Sequence, residues 1–323
     1  ERTFNMLFFG TTIDGLQMGL CFAVIALGVY ISYSILDFPD LSVDGTFPLG
    51  GVVCTILMLK LGLPPILATF LTFFVGLLAG TVTGLLHVKF KISKLLSGII
   101  VMTALLSVNL ALTKLLTRNG YTTTIFAYRS ENLTGIFDGK LTELFGKGAK
   151  DYVILAILLF IVIVLKLAVD WFLKTKLGYL LRATGDNEML VISLGRDSGT
   201  YKIMGLALAN GFVSVSGALY SQLFMQYDNT SGTGKVVLAL ASVIIGLAVF
   251  SGSKHIKDTT AVIFGAVIYS LCLNYLVLVD TDGIYLKLLN AVLFALILIF
   301  NDKISGFVAR RRRREGKTRK PHA

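Results

Sequence analysis

Long apolar segments recur along the whole of this 323-residue chain, and they decide what it can fold into. They run over Thr11–Tyr33, Phe47–Leu61, Ile66–Leu86, Leu95–Leu116, Tyr152–Leu173, Ile203–Phe224, Val236–Phe250, Thr260–Val279 and Tyr285–Phe300. A helix of about 20 residues crosses a hydrocarbon core of about 30 Å. Most of these segments are that long; the second and seventh are short. The residues are 55% hydrophobic and 15% charged, where a soluble domain has about 25% charged. The expectation is an all-α polytopic membrane protein of about nine apolar segments, with no room for a sizeable soluble domain. The chain opens on Glu1, so a start upstream is expected. Thr11–Tyr33 is too long for a cleavable signal and lacks a small-residue cleavage site.

The formal charge of +11 is read as orientation, because cytoplasmic loops of membrane proteins collect Lys and Arg. Residues 87–94, 174–202, 253–257 and the tail from Arg310 alternate correctly if all face the cytoplasm. The N-terminus, residues 61–65, the loop Thr117–Asp151 and residues 280–283 then face outward. The organisation expected is a transmembrane domain over 1–303, in halves of about 1–151 and 152–303, and a basic cytoplasmic tail over 304–323. The tail reads as an anchor at anionic lipid rather than a nucleic-acid site. Cys21, Cys54 and Cys272 all lie in apolar segments, and no His or Cys spacing resembles a metal-ligand set.

Two polar stretches interrupt the apolar pattern. "DLSVDGTFPLGG", Asp40–Gly51, falls at the inner end of the first span. "QYDNTSGTGK", Gln226–Lys235, falls at the outer end of the sixth. Broken helices in corresponding places but facing opposite sides are the pattern of inverted-topology repeats. Unpaired backbone inside a membrane is tolerated only where protein or a water-filled cavity satisfies it. The helix starts after Gly45 and Gly232 carry partial positive charge and free N–H groups, which suit an anionic or polar solute. Two readings stand here, a transport path or re-entrant packing. Path candidates are Asp40, Ser42, Asp44, Thr46, Asp228, Asn229 and Ser231, with Asn109 and Asn210 from mid-span. Asp40 and Asp44 could cap the next half-helix, bind solute or meet a second protomer. Gly76, Gly80 and Gly84 clear one helix face for close packing, and Lys166 is placed to snorkel. No span carries the charge of a proton relay, which counts against an ion-coupled pump.

The loop 174–202 is too polar to span. Gly185 and Asp186 read as a turn, and Asp186 or Asn187 as the cap of a short helix. Glu188 favours the dipole of its first turn. Met189, Leu190, Ile192 and Leu194 give it an apolar face, and Gly195 ends it. Such a helix either docks a partner or lies on lipid.

This loop resembles the coupling loop of ABC importer permeases of the branched-chain amino acid and ribose class, whose motif runs roughly R-A-x-G-x-N-x-x-A-A-x-x-x-G. Arg182, Ala183, Gly185, Asn187 and Gly195 match it; Leu190 and Val191 stand where small Ala residues are usual. "FPDLSVDGT" is similar to the "GGIDLSVGS" element of sugar permeases at Asp40, Leu41, Ser42 and Val43. The wider chain resembles a subgroup that is uncharacterised or associated with tryptophan or tyrosine uptake, which implies an amino acid, aromatic ones included, or another small polar solute as substrate. The resemblance implies a type II-like importer permease in a bacterial plasma membrane, with the C-terminus cytoplasmic. It implies a permease dimer, most simply a homodimer, two cytoplasmic ATPase subunits, and an extracytoplasmic solute-binding protein or lipoprotein. It also implies that Arg182, Gly185, Asp186, Asn187, Glu188, Met189, Leu190 and Gly195 couple to the ATPase. No G-x-x-x-x-G-K-[ST] loop is present, "GTGK" at 232–235 lacking the spacing. ATP and Mg would sit in the partner, and this chain is expected to need no cofactor and to be no enzyme. The rival expectation is an ATP-independent secondary transporter or channel.

Overall fold

The computed structural model describes residues 2–116, 124–125, 135–137, 150–250, 256–279, 288, 291–296 and 299. Half of the ninth apolar segment, the tail over 304–323, residues 280–283 and most of the loop Thr117–Asp151 and of the turn 253–257 lie outside them. Among the described residues, eight helices are long and apolar enough to cross a membrane. They are α1 (Arg2–Val29, prolonged by a π-helical stretch Tyr30–Ile35), α2 (Val43–Leu61), α3 (Pro65–Val88), α4 (Lys94–Thr113), α5 (Lys150–Leu173), α8 (Ser198–Leu223), α9 (Lys235–Phe250) and α10 (Asp258–Val279). Two short helices, α6 (Lys176–Asp186) and α7 (Glu188–Ser193), fill the loop between α5 and α8. Thr124–Ile125 pairs antiparallel with Tyr227–Asp228 just before α9.

Helix α1 is the central post. Cys21, Ala23, Val24, Ile25, Ala26 and Leu27 are wholly buried, and a helix apolar all round belongs inside a bundle. In lipid the hydrophobic effect does not drive helices together, so close packing and interhelical hydrogen bonds must. The glycine stripe supplies the first: a Cβ on Gly76 or Gly80 would strike the carbonyls of Asn210 or Leu206, and one on Gly84 would come within 2.8 Å of Ile203 Cα. The expectation of a cleared face on α3 therefore holds, and its partner is α8. The mid-span polar side chains supply the second. Ser214 donates to the Thr72 carbonyl at 2.9 Å and Ser216 to that of Cys21 at 2.9 Å. Gln222 donates to Thr69 Oγ1 at 2.7 Å. Each such bond contributes about 0.6–2 kcal/mol.

Lys166 does not snorkel. It turns onto Asp170 at 2.9 Å, which also takes Lys257 at 2.8 Å and the Thr259 hydroxyl at 2.6 Å. That acid clamps the end of α5 to the start of α10.

Contacts fix the helix directions. Gly28 of α1 meets Ala209 of α8, and Cys21 meets Ser216, so these two run antiparallel. Helix α2 bonds Asn210 through Ser42 and Gln222 through Cys54, so it runs with α8. Helix α10 runs against α1, joining Tyr30 to Asp258 and Thr12 to Tyr275. Helix α9 runs against α10, Ser242 opposite Gly265 and Gly246 opposite Ala261. It follows that α2 and α9 run in opposite directions.

Both begin at mid-bundle. Ser42 lies beside Asn210, the middle of the 26-residue α8. Lys235 lies over Phe22, the middle of the 26-residue first span. The sequence placed the two breaks at opposite ends of the bundle. Each break does leave from an opposite end, but the chain then re-enters before its helix starts. Positive φ at Asp37 (52°) and Met225 (54°) turns the chain at these two exits.

Candidate solute path and coupling loop

At the first break Asp40 accepts from the Ser42 backbone N–H at 2.9 Å and from Asn210 Nδ2 at 2.7 Å. Ser42 Oγ donates to Asn210 Oδ1 at 3.2 Å. Asp40, Ser42 and Asn210 are all buried, Asp40 at 4% exposure. A buried carboxylate is tolerated only when its lone pairs are met, and this one is met from within the chain. Thr46 donates back to the Ser42 carbonyl at 3.1 Å, and Asn109 Nδ2 donates to that of Gly45 at 3.0 Å. Asn109 Oδ1 is buried and takes no hydrogen bond. Three of the expected path residues thus form one closed knot that pins the break to α8, with Thr46 and Asn109 on its flank.

Asp44 points elsewhere. Its Oδ1 accepts from Val236 N at 2.8 Å and its Oδ2 from Gly234 N at 3.0 Å. It caps α9, the helix after the other break, and not its own. Gly232 packs so tightly on the Asp44 carbonyl that a Cβ there would strike it. On the second break Asp228 accepts from the Thr230 backbone N–H and hydroxyl, both at 2.9 Å, and buried Asn229 accepts from Tyr227 at 3.1 Å. Ser231 is half-buried beside them. The expected path residues therefore gather around one junction where two half-helices start nose to nose.

One charge at this junction escaped the sequence reading. Lys235 Nζ lies 4.1 Å from the ring centre of Phe22, 5.1 Å from Tyr220 and 5.3 Å from Phe47. Its position flush with the start of an apolar run reads as the edge of a span, whereas the re-entrant break carries it to mid-bundle.

The coupling loop departs from expectation in detail. Gly185 and Asp186 are not a turn, because α6 continues through Asp186. Asn187 is the cap, its Oδ1 accepting from Leu190 N at 3.3 Å. Gly195, at φ 70°, closes α7 with its N–H on the Ile192 carbonyl. A Cβ on Gly185 would strike the Ile35 carbonyl, so α6 lies directly on the last turn of α1, two residues before the first break turns at Asp37. Glu188 is exposed but held within the loop: Lys202 reaches it at 2.7 Å and Ser198 donates to it at 2.8 Å. The bonds from Lys202 and then Ser198 hold its carboxyl below the ordinary glutamate range. Arg182 lines a cavity of about 250 Å³ with Tyr30, Lys174, Tyr179, Lys257 and Asp258, on the α1 side of the loop. What α7 and the residue after it present outward is largely apolar. Met189 is 72% exposed and Leu194 63%, with Leu190 and Ile192 also exposed, while Val191 is the one buried residue of α7. Asp186 is exposed beside them.

The comparisons agree with this architecture. The family model described as the permease component of branched-chain amino acid transport systems matches residues 11–301. A tyrosine transport system permease protein of Clostridioides difficile is 37% identical over 286 residues, covering 88% of this chain and 90% of that one. A probable branched-chain amino acid transport permease of Methanocaldococcus jannaschii is 28% identical, covering 88% of each. A ribose import permease of Haemophilus influenzae is 23% identical, covering 88% of this chain and 82% of that one. No solved structure matches. A match spanning nearly every described helix, with a relative this similar over most of its length, establishes that the chain belongs to the family of permease components of branched-chain amino acid-type ABC importers.

Proposed function

We propose that this chain forms the solute path for an amino acid, aromatic amino acids being the favoured class, and that α7 is the element its partner ATPase grips. The substrate class rests on the C. difficile relative named for tyrosine transport. The complex would hold two copies of this chain, two cytoplasmic ATPase subunits carrying ATP and Mg, and an outer binding protein or lipoprotein. The basic loops and tail would face the cytoplasm of a bacterial cell.

One observation carries the coupling: Gly185 rests against the Ile35 carbonyl with no room for a Cβ. Helix α7 offers exposed apolar side chains to a partner, and α6 links that helix rigidly to the end of α1. A push on α7 therefore reaches the first break. The Asp40–Asn210 knot passes it to α8, and the Asp44 cap passes it to α9, so the two half-helices move together. Such packed elements switch between discrete arrangements rather than deform continuously. The test is uptake of tyrosine and tryptophan in proteoliposomes carrying the complex with an active or a hydrolysis-dead ATPase. Uptake only with the active ATPase is expected. Uptake that continues with the dead one would favour a secondary transporter or channel.

A further inference from the structure

Charge is scarce inside this bundle, and an ionisable group there is expensive and marks function by default. Lys235 is such a group. Phe22, Tyr220 and Phe47 surround its ammonium at 4.1, 5.1 and 5.3 Å. Ring faces attract a cation but offer no lone pair, and an ammonium has three N–H donors to place. Among the described residues no carboxylate comes within ion-pairing distance of its Nζ. Asp44, the acid across the junction whose carboxylate brackets Lys235, spends an oxygen each on the N–H groups of Gly234 and Val236. The rings meanwhile form a continuous run. Phe22 stacks on Tyr220 with centres 5.9 Å apart, and Tyr220 meets Phe224 at 4.6 Å. Exposure rises along it, from Phe22 and Phe47 at 1% through half-buried Tyr220 to Phe224 at 41%. Lys235 itself is only partly buried. The run starts at the end of α8 remote from the coupling loop and stops at a cation.

We propose that Lys235 receives the carboxylate of the carried solute, while Tyr220 and Phe224 take its ring. This rests on the importer reading and specifies its substrate as an aromatic acid or amino acid. A compact anion finds the donors that the rings leave open, and a planar apolar body finds ring faces on the way in. A solute bearing only positive charge is repelled at the same point.

The test uses proteoliposomes holding the assembled complex, with L-tyrosine, L-tryptophan and uncharged ribose as probes. K235Q should assemble with its ATPase and lose amino-acid uptake roughly ten- to hundredfold, as for one charged contact unmade. K235R should retain most uptake. K235H should gain uptake as pH falls from about 8 to about 6, because only the imidazolium supplies the cation. Wild-type uptake by K235Q at every pH would overturn the assignment, and so would failure of K235Q and K235R alike to assemble. Ribose uptake by the wild type with neither amino acid carried would overturn it too, while leaving the importer reading standing. No uptake of any probe by the assembled wild type would contradict the importer reading and the assignment with it.

Discussion

Asp44 caps α9, the helix that begins at Lys235. Its Oδ1 accepts from the Val236 backbone N–H at 2.8 Å, and its Oδ2 from that of Gly234 at 3.0 Å. One carboxylate, in the first turn of one half-helix, thereby satisfies the orphan donors of the oppositely directed one. The two breaks support each other, which explains how a bundle this apolar keeps unwound chain at its centre.

D44A leaves both donors of α9 unmet and should destabilise the purified protein by about 1–3 kcal/mol. D44N keeps one acceptor and should lose less. Thermal unfolding in detergent measures both, and an unchanged midpoint for D44A would remove the cap from the mechanism.

Asp40 and Asn210 form a buried pair at 2.7 Å across 170 residues of sequence. N210L and D40L should each destabilise by about 1–3 kcal/mol or more, because each strands a buried partner. The double variant should lose less than the sum, since neither polar group is then left alone. Strict additivity in a double-mutant cycle would show that the pair does not act as one.

Gly185 has no room for a side chain against Ile35. G185V must lift α6 from the end of α1. ATP hydrolysis by the assembled complex should persist while solute moved per ATP falls roughly tenfold or more, since a small misplacement of a lever costs that much. Hydrolysis and uptake measured in the same vesicles give the ratio, and a wild-type ratio would sink the lever.

Met189 and Leu194 are exposed on α7, and replacing both with Ser should change this chain's own stability by no more than about 0.5 kcal/mol. Co-purification of the ATPase should nevertheless be lost. V191S removes the one buried side chain of α7 and should loosen that helix even in the isolated chain.

Glu188 gives the loop a pH dependence. Lys202 and Ser198 hold its pKa below the ordinary value of 4.5. A depressed carboxyl contributes stability that is fully present above that ordinary value and is lost as pH falls through the folded value beneath it. Hydrogen exchange over residues 187–202 should therefore stay slow at neutral pH and quicken only under clearly acidic conditions. E188Q should already exchange faster at neutral pH.

How far the sequence carried this reading depends on the range of the interactions concerned. Segment lengths set the helices within a few residues, because the bilayer's thickness constrains them directly. Asn187 and Gly195 were legible because a cap and a left-handed terminus are local chemistry. The Gly76–Gly80–Gly84 stripe announced a close contact, though not that α8 would fill it. The destination of Asp44 was not legible, since capping a helix 190 residues away leaves no local signal. The partners of Glu188, Ser198 and Lys202, were not legible because they lie beyond the turn. The place of Lys235 at mid-bundle was not legible, because re-entry is a property of the whole fold.

The measurement to make first is ATP hydrolysis by this chain reconstituted with its ATPase and binding protein, across a panel including tyrosine, tryptophan, branched-chain amino acids and ribose. Stimulation by a binding protein loaded with one aromatic amino acid is expected, and it would establish the importer and its substrate together. An ATPase that never associates, or solute uptake that runs unchanged without it, would contradict the coupling of α7 to the broken helices.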